Sequence, residues 1–325
     1  MLFVVPDYRP KECGVSDHTD IIATAIRNSG ETVRIIVGPD AAKSEITNAG
    51  SNEVVFIQAV LYGYHRYGLI APLIKLAIKA KNCGLRVATF FHELPSQFMP
   101  LRRSSVLVLP QNFLCQSLAK HSDFVFVNQA RGLQILRDAG GREPVYIPTW
   151  SNIKEADVDF DIHLRPNQIV VFGTPVKRER IYRKMLELGG PDVLFGRGFI
   201  ITDIGNPFKF EVPSSWSIQR LGLVDGAVVG NALTAARFGL FTAPTGETSK
   251  SSVFASYCAY GVVPVNVEQQ NFCFPQDPRP GLEFIELSKM VMDVDSQQTI
   301  QNGARAWHAR NSVPKSIKCL LAAIT

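Results

Sequence analysis

No run of about 18 apolar residues occurs anywhere in this 325-residue chain, which excludes a membrane-spanning helix of ordinary length. The opening stretch, MLFVVPDYRP, holds four apolar residues between Met1 and Pro6, the pattern of a first strand rather than of a secretory leader. Long basic tracts are missing too. Lys and Arg exceed Asp and Glu by five, which permits an anionic ligand or an anionic membrane surface but argues against nucleic acid. Arg102-Arg103 and the group Lys177, Arg178, Arg180, Arg183 and Lys184 are the local concentrations of charge. The six cysteines (Cys13, Cys83, Cys115, Cys258, Cys273, Cys319) form no C-x-x-C pair, so neither a zinc ribbon nor a redox motif is expected. Several lie in apolar runs, where a free thiol packs as a small hydrophobe, and a reducing cytosol follows. No second histidine stands at metal-ligand spacing from His92, and no short-period repeat is present.

What is present is the composition of a globular chain with ample core, 46% hydrophobic and 19% charged, long enough for two medium domains. The first half alternates strand-like apolar runs (Leu2–Val5, Val33–Val37, Val54–Gln58, Leu85–Phe91, Phe124–Val127, Val145–Ile147) with helical segments (Asp17–Asn28, Gly68–Ala80, Leu107–Lys120, Ala130–Ala139). Near-continuous Val, Ile and Phe suit strands buried on both faces, so a parallel sheet is expected. From Thr149 to Asn167 the pattern dissolves into polar and acidic residues, which reads as a linker. Alternation restarts with a strand at Ile169–Phe172, a helix at Lys177–Leu188, a strand at Val193–Phe195 and a helix at Gly226–Arg237. Residues 199–216 show no clear period, and after Phe284 the chain reads as helix to its end, with a break near Pro314.

The segment Arg237–Val265 reads as strand, loop, helix and strand, with Lys250 and small hydroxylated residues where the helix begins. Free amides and the positive end of the dipole suit an anion there, and Ser251 and Ser252 can donate to it or cap. A Walker A loop does not fit, because Pro244 and Ser249 stand where that motif needs glycine. A plain capped helix with a solvated Lys250 is the other reading of the same residues. Glu247 can bond a ligand hydroxyl or balance charge.

Ligands of open α/β sheets bind beyond the carboxyl ends of the strands. After the first strand, Gly14 permits close approach of the backbone, and Ser16 or Asp17 caps the next helix. After the strand ending at Phe91, His92 can bond a hydroxyl or act as a general acid–base, or serve structurally. After Phe172 comes Gly173, then Lys177 and Arg178 in a first helical turn. Cations there oppose the helix dipole unless an anion offsets them, and a diphosphate is one such anion. A solvated basic face is the alternative. Asp225 reads as a helix cap.

Four stretches together resemble the GT-B glycosyltransferases, near the large retaining family 4. They are C-G-V-S-D-H-T at 13–19, F-F-H-E at 90–93, Y-I-P-T-W-S-N at 146–152, and the run from Leu221-Gly222 through F-G-L at 238–240 to K-S-S-V-F-A-S-Y-C-A-Y-G-V-V-P-V at 250–265. The resemblance spans most of the chain and rests on the order and spacing of these pieces. It implies two tandem Rossmann-like α/β domains facing across a cleft: residues 1–160 on the acceptor side, 161–310 binding the donor, and a final helix, 311–325, packing back on the first domain. It further implies a hexosyltransferase-like enzyme of polysaccharide biosynthesis that transfers a sugar from a nucleotide-diphosphate sugar to a glycan, lipid-linked or small acceptor. No catalytic metal and no cofactor beyond that co-substrate are expected. His92 would meet the donor sugar. Arg178, Lys250 and Ser251 would meet the diphosphate, with Gly14, Gly173, Lys177, Glu247, Ser249 and Ser252 lining the donor site. The location expected is cytoplasmic, with a peripheral membrane contact left open. One departure stands out. The family's Glu-x7-Glu would place its second Glu at Ser256 and its first at Thr248, or at Glu247 with a one-residue slip. The ribose contact is then changed or supplied elsewhere. A nucleotide-sugar epimerase and a non-catalytic nucleotide-sugar-binding subunit are the rival readings.

Overall fold

The computed structural model describes residues 1–8, 14–50, 53–95, 106–154, 161–290 and 293–324. Cys13, Arg102-Arg103 and residues 155–160 of the expected linker lie outside them. The chain divides into two units, Met1–Pro148 with Ser316–Thr325, and Thr149–Lys315. The division falls at Thr149 and Ser316 rather than at 160 and 310.

In the first unit the elements are β1 (Leu2–Val5), α1 (Gly14–Asn28), β2 (Arg34–Val37), α2 (Pro39–Ile46), β3 (Val54–Ala59), α3 (Leu61–Tyr64), α4 (Ala71–Asn82), β4 (Arg86–Phe91), α5 (Val108–Lys120), β5 (Phe124–Val127), α6 (Ala130–Arg137) and β6 (Val145–Tyr146). The six strands pair in parallel in the order β2-β1-β3-β4-β5-β6. β1 and β3 are buried along their whole length. A strand covered on both faces can carry apolar side chains in both directions, hence LFVV and VVFIQA. Strand order reverses between β1 and β3, so the crevice of this sheet opens beyond their carboxyl ends.

The second unit holds β7 (Gln168–Phe172), α7 (Pro175–Glu187), α8 (Pro191–Phe195), β8 (Ile200–Ile204), β9 (Ile218–Gly222), α9 (Gly226–Ala235), β10 (Phe238–Phe241), α10 (Ser252–Ala259), β11 (Val263–Asn266), β12 (Ile285–Glu286) and α11 (Val294–Asn311). A last helix, α12 (Val313–Ile324), spans the boundary at Ser316. The sheet is again parallel, in the order β12-β11-β10-β7-β8-β9. Its switch lies between β7 and β10. Helix α10 seats directly on that junction, where the Tyr257 hydroxyl donates to the Leu240 carbonyl at 2.8 Å. Gly239 makes the seat possible, since a Cβ there would lie 2.6 Å from the Tyr257 ring.

Three expectations are corrected. Residues 193–195 are helical, within α8, because Gly190 and Gly196 hold positive φ on either side and Pro191 presets the first turn. The ambiguous stretch after Phe199 contains β8, buried from Ile201 to Ile204, whose Asp203 disguises a buried strand. After Phe284 the chain first makes β12, and α11 starts only at Val294, where the Asp293 carboxylate accepts the Ser296 N–H at 2.8 Å. Of the cysteines described, Cys115 and Cys258 are buried as small hydrophobes, whereas Cys83, Cys273 and Cys319 are exposed.

Candidate functional site

In the second unit, the loops leaving β7 and β10 bring three predicted residues together. Lys177 stands in the first turn of α7 and is exposed. Its pKa is lowered by desolvation and then by the neighbouring charge of Lys250, while Glu247 acts in the opposite sense. Two cations and one carboxylate thus share one neighbourhood at the switch point of the sheet, with one positive charge in excess. Lys250 ends a 3-10 turn, Thr248–Lys250, and Ser251 caps α10, its Oγ accepting the Phe254 N–H at 3.2 Å. Ser252 is the first residue of that helix and half-buried. Gly173 follows β7 at φ +129°, with room around it for a Cβ except for Val253 at 3.7 Å.

Side chains beyond the predicted set hold this arrangement. Asn266, fully buried at the carboxyl end of β11, clamps the loop after β10: its Oδ1 accepts the Ala243 N–H at 3.1 Å and its Nδ2 donates to the Ala243 carbonyl at 2.9 Å. Asp277, 6% exposed, grips the 3-10 turn by accepting the N–H groups of Ser249 at 3.0 Å and Thr248 at 3.4 Å. Burial raises its carboxyl to about 6, against the lowering effect of those hydrogen bonds. Both residues lie in loops or strand ends that carry no motif; for Asn266 the one available signal was a polar residue at the end of an apolar run, and Asp277, within P-Q-D-P-R-P, offered none.

Two predicted phosphate ligands sit elsewhere than expected. Arg178 is 1% exposed, ion-paired to Asp203 of β8, bonded to the Asn206 carbonyl and placed over the Phe208 ring at 4.8 Å. The anion that offsets this first-turn cation is a side chain of the same unit. Gly205 is required beside it, because a Cβ there would lie 2.7 Å from the Gly173 carbonyl and 3.1 Å from the guanidinium carbon. Ser249 is fully buried, with its amide committed to Asp277. Ser256, where the resemblance sought a carboxylate, is 1% exposed; its hydroxyl lies 2.9 Å from Ser151 Oγ and donates to the Ser252 carbonyl at 2.8 Å. A Glu at 256 has no open space to enter. Thr248, one of the two residues offered for the first position of that motif, is fully buried as well, whereas Glu247, the other, is half-buried.

In the first unit, His92 follows β4 and is 7% exposed. Its Nε2 lies 2.5 Å from Gln58 Oε1 at the end of β3, its ring stacks on Phe90, and His18 of α1 meets it edge-on at 4.6 Å. Burial and the proximity of His92 hold His18 well below its ordinary pKa. Gln129 donates to the His92 carbonyl at 3.1 Å and Arg131 to the Pro95 carbonyl at 2.9 Å, so α6 fixes the backbone after β4. Gly14, the first residue of α1, is exposed, and a Cβ at that position would meet nothing within 4 Å. Among the described residues no group of three or more His, Cys, Asp or Glu is placed to hold a metal ion, and no helix is long and apolar enough to cross a membrane.

The sequence matches no protein-family model and no curated protein. The fold does find counterparts. The structure of Alr3699/HepE from Anabaena, in complex with UDP, matches with a TM-score of 0.61 at 14% identity, covering 99% of this chain and 98% of that one. The lipopolysaccharide outer core galactosyltransferase WaaB, in its apo form, gives 0.55 at 11% identity over 99% and 98%. WaaG, a glycosyltransferase involved in lipopolysaccharide biosynthesis, gives 0.54 at 10% identity over 100% and 99%. At such identities the likeness is one of fold. The chain has the GT-B architecture of these glycosyltransferases, two α/β units each built on a six-stranded parallel sheet.

Proposed function

We propose that the protein is a glycosyltransferase that takes a sugar from a nucleotide-diphosphate donor and passes it to an acceptor glycan or glycolipid, with the donor diphosphate held by Lys177 and Lys250. The observation that carries this reading is the pair of lysines at the switch point between β7 and β10, in a fold shared with glycosyltransferases. Fold alone leaves the activity open, so the site has to support it. As the bond from the anomeric carbon to the diphosphate breaks, negative charge grows on the leaving oxygen. Two preplaced ammonium groups and the amides at the start of α10 stabilise that charge more than the ground state, without calling on a metal. Glu247, whose charge acts on Lys177, would accept from a donor hydroxyl in this reading. Arg178 enters as a positioning residue for the loop after β7, and His92 as one for the segment after β4. Retention at the anomeric carbon belongs to this reading and is checked by the anomeric configuration of the product.

The experiment is calorimetric titration of UDP and other nucleoside diphosphates into the wild type, Lys177→Ala and Lys250→Ala. Each substitution removes a charge-assisted contact, so a loss of about 10- to 100-fold in affinity for the preferred nucleotide is expected. HepE was crystallised with UDP, which makes uridine the first base to try. Undiminished affinity in both variants would remove the lysines from the site. A second reading, a nucleotide-sugar-binding subunit without turnover, is favoured by the buried hydroxyl at 256 where the resemblance sought the second carboxylate. It predicts lysine-dependent nucleotide binding with no sugar released or transferred.

A further inference from the structure

The connection between β11 and β12 is fastened at two places to the loop that carries Glu247 and Lys250. At the first, Gln270 Nε2 donates to the Ala243 carbonyl at 3.0 Å, and the Asn271 N–H donates to Thr245 Oγ1 at 3.2 Å. At the second stands Asp277, whose carboxylate accepts the N–H groups of Thr248 and Ser249. A further bond, from the Gln270 N–H to Glu286 Oε1 at 2.6 Å, ties the same segment to the end of β12. Residues 271–276 therefore form an arch whose feet bracket Gly246 and Glu247. Surface connections are ordinarily mobile, but one anchored in this way presents its side chains preorganised.

What the arch presents is an aromatic ring among amides. Phe272 is 49% exposed, and the half-buried Phe274 meets its ring at 62° with centroids 5.1 Å apart. That edge-to-face contact orients the outer ring. Asn271 beside it is exposed as well. From Gln269 to Gln276 the sequence reads QQNFCFPQ, eight residues without a charge. The charges of the candidate site stand on the neighbouring loops instead, at Lys177, Glu247 and Lys250. A neutral sugar suits this division. The C–H face of a hexopyranose is apolar and packs on a flat aromatic ring, while its hydroxyls exchange hydrogen bonds with carboxamides, which both donate and accept. A phosphate finds no partner on such a surface.

We propose that Phe272 is a stacking platform for a neutral hexopyranose ring at the rim of the candidate donor site, with the Asn271 amide bonding the ring's hydroxyls. The inference rests on the transfer reading and deepens it, because the feet of the arch bracket Glu247, the carboxylate which that reading gives to a donor hydroxyl. The ring stacked on Phe272 belongs to the donor's sugar or to the acceptor, and the recognising chemistry is the same for both. Stacking is uncharged, so the residue acts on the affinity and choice of sugar and leaves the diphosphate to the lysines. A nucleobase also stacks on an aromatic ring, and the test separates it from a sugar.

Two titrations of the full chain serve, each with the wild type, Phe272→Ala, Phe272→Leu and Phe272→Tyr. Calorimetry compares UDP with UDP-glucose, UDP-galactose and UDP-N-acetylglucosamine. Saturation-transfer NMR follows free glucose, galactose and N-acetylglucosamine with no nucleotide present. Phe272→Ala and Phe272→Leu should weaken the saccharides that bind by about three- to tenfold. Phe272→Tyr keeps the flat ring and should match the wild type, whereas a side chain needed only for its apolar bulk would be rescued by Leu. UDP affinity should be the same in all four proteins, and Tm should stay within about 2 °C because the side chain is half exposed. A loss for the nucleotide sugars assigns the ring to the donor, and a loss for the free saccharides alone assigns it to the acceptor. The proposal is overturned if the wild type binds no saccharide, if Leu restores what Ala loses, or if Phe272→Ala binds every saccharide as the wild type does. An equal loss for UDP itself overturns it too, by giving the ring to the base. Because the free saccharides need no nucleotide, their result stays readable even if Lys177 and Lys250 prove not to hold UDP.

Discussion

Arg178 and Lys177 are neighbours in sequence, both cations in the first turn of α7, and the fold treats them oppositely. The argument that a first-turn cation needs an offsetting anion holds for both. For Arg178 the anion is the buried Asp203, and for Lys177 it is the accessible Glu247, in a neighbourhood where Lys250 leaves positive charge in excess. This separates structural from functional charge by experiment. Arg178→Met strands the Asp203 carboxylate in the core and is expected to cost about 3–5 kcal/mol in urea unfolding. Adding Asp203→Leu should recover most of that loss. Lys177→Ala, at an exposed position, should stay within about 0.5 kcal/mol of the wild type. A stability loss for Lys177→Ala comparable to that of Arg178→Met would mean that Lys177 too is a structural cation. The clue to Arg178 was legible in one place, the lone acid in the apolar run Ile200–Ile204, but a run broken by a charge does not read as a strand until its partner is seen.

At the scale of elements, the strand–loop–helix unit from Phe238 to Ala259 is the part most legible from the chain. Its apolar runs are long, its helix is capped by the expected Ser251, and local sequence decides both. The loop between them was legible only in composition. Its shape depends on Asn266 and Asp277, which follow the loop by 23 and 28 residues at their contacts with Ala243 and Ser249. Asp277 carries a pH signature. Its carboxyl titrates at about 6 in the folded protein against 3.8 as a free group, so the folded state holds the proton more tightly. A raised acid contributes stability that is complete below the unfolded value and lost as pH rises through the folded one. Relative to Asp277→Asn, which stays neutral, the wild type should lose about 2–3 kcal/mol of unfolding free energy between pH 4 and pH 7. A difference between the two proteins that does not change with pH would show that the hydrogen bonds from Ser249 and Thr248 fully offset the burial. Helix α8, expected as a strand, failed for a related reason: three apolar residues carry no period, and flanking glycines with positive φ decided the turn.

For the whole molecule, α12 matters out of proportion to its length, because Ser316–Thr325 belong to the first unit although the second unit precedes them in the chain. Ile317, Leu320 and Ile324 are buried on one face of that helix, and Arg86 Nη1 donates to the Ile324 carbonyl at 2.9 Å. Leu320→Ala should therefore destabilise the first unit by about 2–5 kcal/mol while leaving the nucleotide affinity proposed for the Lys250 site unchanged. Thermal unfolding with and without UDP would read both effects, and a loss of nucleotide affinity would contradict the assignment. The sequence by itself determined the α/β class and the parallel sheets, and with them the strand ends at which a ligand was sought. Those follow from local hydrophobic period and from the rule that loops beyond strand ends carry sites. Only the tertiary structure decided which charges remain available. Whether a Lys or Arg faces solvent or a buried partner depends on residues brought from distant strands, as Asp203 is to Arg178, and no local pattern encodes that pairing.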